Sequence, residues 1–313
     1  MASVAVILPA YNEELTIKGV IEDFHKHLPQ AQIVVVNNNS KDRTEAIARE
    51  TLLSQGIQGQ VINEPRQGKG NAMRRAFTEV DADIYVLADA DLTYPASHAP
   101  DLIKVLQEQH ADMVVGDRHS GGHYAAENKR ALHGFGNNLV KNLINKLFRA
   151  NLSDMMSGYR IFTKRFVKNY PILVSGFQVE VDMTLHALDK RFYIVEVPIV
   201  YKDRPEGSTS KLNTISDGFK VLFAIAQIFR YYKPLTFFST ASIITAFVGL
   251  LIGIPVIQDW IQHQYIYRVP LAILAASVEV LALILMGIGL NLDSITHQQK
   301  LNFELQLLKW KKQ

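Results

Sequence analysis

The 313-residue sequence contains no cysteine, and its formal net charge is only +3. The lack of cysteine excludes disulfide bridges, thiolate metal sites and a cysteine nucleophile. The small net charge does not favour a nucleic-acid partner, which would need a concentrated basic face. Residues 1–4 carry no basic segment ahead of an apolar run, so we expect no cleavable signal peptide.

Two long stretches have almost no charge. Residues 235–257 carry no charged side chain, and residues 269–292 carry only Glu279. Each reaches the roughly 20 residues that cross a bilayer, so both are predicted to span a membrane, with buried core helices as the alternative. Because basic residues flank the pair on both outer sides, the part of the chain before the spans and both termini are predicted to be cytoplasmic. A carboxylate inside a span is costly, so Glu279 is expected either in a helix contact within an oligomer or near a lipid path.

Residues before the first span alternate between strand-like and helix-like patterns. This alternation predicts an α/β domain with a mostly parallel sheet and helices on both faces. Ligands of such sheets bind beyond the carboxyl ends of the strands, where this sequence places its polar clusters. The predicted strands cover residues 4–8, 33–36, 60–63, 84–88, 113–116 and 193–200. A polar loop over 119–130, a helix over 131–149 and a membrane-surface helix over 214–232 are also predicted.

Asp89 and Asp91 follow the apolar run at residues 84–88. A strand that ends in Asp-x-Asp places both carboxylates on the same side of the pleat, so these two side chains are predicted to lie together. Two such carboxylates can share a divalent cation, and the cation can hold a diphosphate. Aspartate is also common in turns, so a plain turn is the alternative.

Three further clusters and one single aspartate carry candidate functional groups. Residues 37–40 can hydrogen-bond a base or ribose or cap a helix, and Gly68-Lys69-Gly70 can bring backbone N–H groups to an anion. Asp154 is a candidate general base, with a turn-capping aspartate as the alternative. The loop with Arg204, Ser208, Ser210 and Lys211 is cationic, and it is either a binding loop or a solvated one.

These motifs resemble glycosyltransferase family 2, which has the GT-A fold. The resemblance covers roughly residues 3–215 and rests on residues 8–14, 38–44, 68–72, 89–91 and 154–160. The group it resembles most is the polyprenyl-phosphate glycosyltransferases, which include dolichol-phosphate mannose synthase. The pair of apolar spans also suits members of that group with a membrane hairpin.

The resemblance implies a role for each matching residue. The nucleotide-sugar donor would be bound by Pro9, Tyr11, Glu13, Asn37, Asn39, Lys69 and Asp89. Asp89 and Asp91 would hold Mg²⁺ or Mn²⁺, and Asp91 and Asp154 would be catalytic. The acceptor phosphate would be bound by Arg118, Arg160, Arg204, Ser210 and Lys211. One position departs from the family, which usually has aspartate where this chain has Asn37.

The implied enzyme is an inverting, membrane-bound hexosyltransferase of cell-envelope or protein glycosylation. It would move a sugar from a nucleotide sugar, with UDP favoured and GDP-mannose as the second option, to undecaprenyl or dolichyl phosphate on the cytoplasmic face. A processive polysaccharide synthase and a catalytically silent membrane scaffold are the alternatives, and a homo-oligomer is left open. The predicted organisation is a catalytic domain over 1–212, a juxtamembrane helix over 213–233, two spans within 234–292 and a cytoplasmic tail over 293–313.

Overall fold

The computed structural model describes residues 2–120, 141–176, 178–202 and 227–310. The chain forms two compact units, Met1–Asn213 and Thr214–Gln313. The predicted loop over 119–130 lies outside the described residues from position 121 onward, and the predicted helix over 131–149 is described only from position 141, with residues 141–148 helical. Of the predicted surface helix, residues 227–232 are described and helical.

The first unit is built on a seven-stranded sheet in the order β3-β2-β1-β4-β6-β5-β7. β6 runs antiparallel to both of its neighbours, and the other strand pairs are parallel. The predicted α/β class with a mostly parallel sheet is therefore confirmed. The strands are β1 Val4–Ala10, β2 Gln32–Asn37, β3 Gly59–Asn63, β4 Ile84–Leu87, β5 Met113–Asp117, β6 Arg160–Thr163 and β7 Ile194–Pro198.

Strand β6 is absent from the sequence prediction. Its two apolar residues, Ile161 and Phe162, lie between Arg160 and Thr163 and come directly after a polar turn, so no apolar run marks the strand. Its pairing with β4 and β5 brings the end of the 154–160 segment into the centre of the sheet. The antiparallel insertion therefore carries predicted site residues to the same sheet edge as the end of β4.

Amphipathic helices cover the sheet. On α1, Ile17, Val20, Ile21 and Phe24 recur at helical spacing, and all four are buried. Helix α3 begins directly after Gly68, whose φ of 132° favours glycine. The helices are α1 Ile17–His27, α2 Thr44–Ser54, α3 Lys69–Glu79, α4 Ala99–Glu108, α5 Lys164–Lys168 and α6 Val179–Asp189.

The second unit contains two long helices, α7 Pro234–His263 and α8 Val269–Trp310, packed against each other. Both are long and apolar enough to cross a membrane, and only 17% and 6% of their most apolar windows is buried. A core helix of a soluble domain would bury most of such a window, so the exposure favours membrane association. Helix α8 continues past residue 292, where the second span was predicted to end, up to Trp310.

Candidate active site

Asp89 and Asp91 lie in the turn that follows β4, because the strand ends at Leu87. The expectation that an extended pleat would align them is therefore wrong. Leu92 has a φ of 63°, a left-handed conformation that costs a branched residue about 1 kcal/mol or more. Asp91 stabilises this turn, because its Oδ1 accepts hydrogen bonds from the Thr93 amide at 3.2 Å and hydroxyl at 2.6 Å.

The two aspartates differ in exposure. Asp91 is 3% exposed, whereas the Asp89 side chain is 31% exposed. Lys69, the first residue of α3, donates to Asp89 Oδ1, and its Nζ also lies 2.5 Å from Oε1 of Glu180 on α6. Burial by itself lowers the pKa of Lys69, but the two carboxylates outweigh it and raise that pKa above its ordinary value. The site therefore contains a buried ammonium shared by two carboxylates.

Gly68 and Gly70 allow the start of α3 to pack closely against the backbone of residues 174–175. A Cβ on Gly68 would lie 2.1 Å from the carbonyl oxygen of Ser175, and one on Gly70 would lie 2.0 Å from that of Val174. Their N–H groups donate to Asn38 Oδ1 at 2.6 Å and to Ser175 at 3.0 Å. The expectation that these N–H groups are presented to an anion therefore differs from the structure, in which both donate within the protein.

The residues predicted to bind the nucleotide gather at the carboxyl ends of β1 and β2, where Ala10 and Asn37 are paired in register. Pro9 lies in β1, Tyr11 and Glu13 follow it, and Asn39 follows β2 with a φ of 59°. The Glu13 amide donates to Thr44 Oγ1 at 2.8 Å, which fixes the loop after β1 against the start of α2.

Asn37 is oriented by an acidic neighbour. Its Nδ2 donates to Glu45 Oε2 at 3.2 Å and to Asn63 Oδ1 at 3.1 Å. Hydrogen bonds from Asn63 and Arg49 lower the pKa of Glu45, which therefore only accepts. The amide nitrogen of Asn37 must consequently face Glu45, and its Oδ1 accepts from the Ser40 amide at 3.3 Å.

Arg118 and Asp154 form a bidentate ion pair. Nε and Nη2 of Arg118 lie 2.7 and 2.9 Å from the two carboxylate oxygens, and the side chains are 11% and 1% exposed. Burial would raise the pKa of Asp154, but the hydrogen bonds and charge of Arg118 lower it below the ordinary range. A carboxylate held ionised in this way is a weak proton acceptor and an effective anchor for the guanidinium.

Glu196 on β7 holds this pair in place. Its carboxylate accepts hydrogen bonds from the backbone amides of Ser153 at 2.7 Å and Asp154 at 2.8 Å. The guanidinium of Arg118 also lies over the Tyr201 ring, 5.5 Å from its centroid. Both contacts restrict where Arg118 can point.

Of the remaining residues predicted to bind the acceptor phosphate, the structure describes only Arg160. Arg160 is fully buried, and its guanidinium donates to the carbonyls of Met155 at 2.6 Å and Ser157 at 2.9 Å and to Thr184 Oγ1 at 2.9 Å. Through these contacts Arg160 stabilises the turn formed by residues 155–157. Arg204, Ser210 and Lys211 lie outside the described residues.

Four residues that the prediction omitted shape the site: Tyr94, Gly158, Glu180 and Glu196. The Tyr94 hydroxyl accepts the Gly158 amide at 3.0 Å, and a Cβ on Gly158 would lie 2.7 Å from Asp89 Oδ2. Glu180 has a sequence signal, because it shares the buried face of α6 with Met183 and Ala187. A carboxylate on an apolar face needs a buried cationic partner.

The donor set suits a hard divalent cation. In the described ranges there is no group of three or more His, Asp or Glu side chains arranged to hold a metal. Mg²⁺ and similar cations need only one or two protein carboxylates when phosphate oxygens complete the shell. Asp89 and Asp91 meet that requirement, and the partial exposure of Asp89 allows a ligand to reach it.

Comparison with known proteins gives concordant results. The sequence model "Glycosyl transferase family 2" matches residues 5–170, more than half of the chain. Glycosyltransferase AglJ of Haloferax volcanii is 26% identical over 96% of each chain. A dolichyl-phosphate hexose transferase of the same organism is 27% identical over 72% of this chain and 92% of its own.

The solved structures support the fold. Glucosyl-3-phosphoglycerate synthase from Mycobacterium tuberculosis, in complex with Mn²⁺, UDP and glucosyl-3-phosphoglycerate, superposes with a TM-score of 0.56 at 21% identity. The match covers 73% of this chain and 79% of that one, which confirms the GT-A-like architecture. The family match, the fold and the polar groups at the carboxyl edge of the sheet agree, and the chain belongs to glycosyl transferase family 2 and is a glycosyltransferase.

Proposed function

We propose that this protein transfers a hexose from a nucleotide-diphosphate sugar to a polyprenyl phosphate at the cytoplasmic face of a membrane. The single observation that carries the proposal is that one chain combines the acidic cluster around Asp89 with two exposed apolar helices long enough to span a bilayer. A membrane anchor keeps an enzyme on the surface where a lipid acceptor lies. The similarity to a dolichyl-phosphate hexose transferase supports the same acceptor class.

On the donor side, Asp89 and Asp91 would hold Mg²⁺ or Mn²⁺ with the diphosphate. When bound, the cation supplies positive charge that offsets the charge growing on the leaving diphosphate. The loops after β1 and β2 would hold the base and ribose, with Asn37 Oδ1 as an acceptor whose direction Glu45 sets. A base N–H, such as that of uracil, suits such an acceptor, and UDP-sugars are the favoured donors.

On the acceptor side, Arg118 would hold the lipid phosphate. Its guanidinium is already oriented by Asp154, so less rotational freedom is lost when a phosphate binds. The acceptor phosphate is anionic and needs little help from a base, which agrees with the lowered pKa of Asp154. Asp154 would thus act chiefly through Arg118, and we propose direct displacement with inversion at the sugar carbon.

A donor and acceptor assay tests the proposal. Full-length protein in membranes is incubated with a panel of radiolabelled UDP- and GDP-sugars, Mn²⁺ or Mg²⁺, and undecaprenyl or dolichyl phosphate. We expect one sugar to appear in the organic phase in a cation-dependent manner and to be lost with Asp91→Ala. Label found in water-insoluble polymer would indicate a processive synthase, and no transfer from any donor would indicate a scaffold; either result would overturn the proposal.

A further inference from the structure

Lys69 is the charge at the centre of the donor side, and its surroundings are asymmetric. Its side chain is 7% exposed, and its ammonium contacts Asp89 and Glu180. The side chain of Glu180 is also 7% exposed, whereas that of Asp89 is 31% exposed. Of the two carboxylates, only Asp89 can be approached by a ligand from solvent without rearranging the helix α6 face.

Lys69 has little room to follow a ligand outward. A Cβ at Gly158 would lie 3.1 Å from Lys69 Nζ and 2.7 Å from Asp89 Oδ2, so the 154–160 turn closes over the pair. That turn is held by the hydrogen bond from the Gly158 amide to Tyr94 and by the buried Arg160. An ammonium enclosed in this way would stay buried if Asp89 changed partners.

A buried ammonium that loses its partner is strongly disfavoured, because desolvation is no longer offset. If Lys69 had no second carboxylate, movement of Asp89 to a cation would leave the ammonium unpaired. The free-energy cost of that unpaired ammonium would weaken cation binding. Glu180, 2.5 Å from Lys69 Nζ, removes the cost because it keeps the ammonium paired.

We propose that Glu180 is a positioning residue for the cation site, which retains Lys69 while Asp89 moves from the ammonium to a divalent cation bound with the donor diphosphate. This inference rests on the proposed function, since it assigns a supporting residue to that cation site. Glu180 touches neither cation nor substrate, and its effect reaches the site through Lys69.

Replacing Glu180 with glutamine removes the charge and keeps the shape. In Glu180→Gln the amide oxygen can still accept from Lys69, but Asp89 becomes the only carboxylate of the described residues on that ammonium. The cation must then compete with Lys69 for Asp89. We expect Mn²⁺ affinity in the presence of UDP to fall roughly tenfold, and the loss of rate at low Mn²⁺ to be partly recovered as the Mn²⁺ concentration is raised.

A matched control lies on the same helix. Asp182 is two positions further along α6, and its carboxylate accepts the Tyr170 hydroxyl at 2.7 Å. Asp182→Asn makes the same chemical change, and the described contacts of Asp182 do not include Lys69. We expect its Mn²⁺ affinity to remain within about twofold of wild type.

The experiment measures Mn²⁺ binding without turnover. Full-length variants in detergent are titrated with Mn²⁺ at saturating UDP, free Mn²⁺ is followed by electron paramagnetic resonance, and melting temperatures are recorded. Wild-type affinity in Glu180→Gln, or an equal loss in Asp182→Asn, overturns the inference.

A double variant separates positioning from general damage. In a Lys69→Met background there is no ammonium to retain, so adding Glu180→Gln should lower Mn²⁺ affinity by no more than about threefold, the part that comes from losing the Glu180 charge itself. A further tenfold loss in that background would overturn the inference, and this comparison holds even if Glu180→Gln alone melts early. Absence of Mn²⁺ binding in the wild type would overturn the cation site altogether, whereas Mn²⁺ binding without lipid glycosylation would overturn only the proposed acceptor.

Discussion

Buried ionisable side chains have different surroundings at two places in the molecule, one in each unit. In the first unit, Lys69 and Arg118 each meet carboxylates at hydrogen-bonding distance. In the second unit, Oε1 of Glu279 on α8 is buried without a hydrogen-bond partner among the described residues and lies where a Cβ on Gly249 of α7 would be 2.5 Å away. The difference indicates that the first unit places charge for binding, whereas the hairpin accommodates a carboxyl beside a small residue.

The largest effect is expected from Lys69→Met, because it leaves Asp89 and Glu180 facing each other without a cation. Removing one partner of a buried pair costs about 3–5 kcal/mol, and we expect transfer to fall at least about 100-fold. The measurements are the initial rate of lipid glycosylation and the melting temperature in detergent. Lys104→Met is the control, because Lys104 is an exposed α4 lysine, 3.8 Å from Glu108. Retention of more than about a tenth of wild-type activity by Lys69→Met would contradict the assignment.

A smaller loss is expected from Arg118→Lys, which keeps the charge and removes the bidentate geometry. An ammonium cannot make both contacts to Asp154 that the guanidinium makes at 2.7 and 2.9 Å. We expect kcat/KM for the polyprenyl phosphate to fall about 10–100-fold, with the KM for the nucleotide sugar changed less. Equal changes in both KM values would show that the pair supports the whole site and not the acceptor side.

The acid sensitivity of the first unit should depend on Asp154. Its pKa is lowered in the folded protein, so its stabilising contribution is complete above the ordinary value of 3.8 and is lost as pH falls through the lowered value. Asp154→Asn should therefore be less stable than wild type near neutral pH, with the difference shrinking below about pH 4. Urea unfolding followed from pH 7 to pH 3 measures this. A constant difference at every pH would mean that the carboxylate charge is not responsible, and Asp101→Asn on the exposed side of α4 serves as control.

The smallest effect is expected from Glu279→Gln, since no hydrogen bond of Oε1 within the described residues is lost. Transfer should stay within about twofold of wild type, and the mass of the detergent-solubilised particle should not change. Gly249→Val is the contrasting variant, because its side chain would meet Glu279 and force the two helices apart. A change of particle mass in Glu279→Gln would support an oligomer contact, and a large loss of transfer would support a position near the lipid path.

Much of the fold follows from local patterns. The apolar runs that become β1, β2 and β4 are continuous and end in polar turns, which is typical of buried parallel strands. The two long apolar stretches are equally clear, and the ordered motifs indicate the family without any knowledge of tertiary contacts. β6 was missed because it has only two apolar residues, Ile161 and Phe162, whereas β4, of the same length, is apolar throughout.

The sequence by itself determined the α/β class, the two apolar helices, the family and the placement of polar residues at strand ends, because each depends on residues near one another in the chain. Only the tertiary structure decided which charges meet. Asp154 and Arg118, 36 positions apart, become one ion pair, and Glu180 on α6 becomes the partner of Lys69 on α3. Such pairs depend on how the chain crosses the sheet, and side-chain periodicity carries no information about that path.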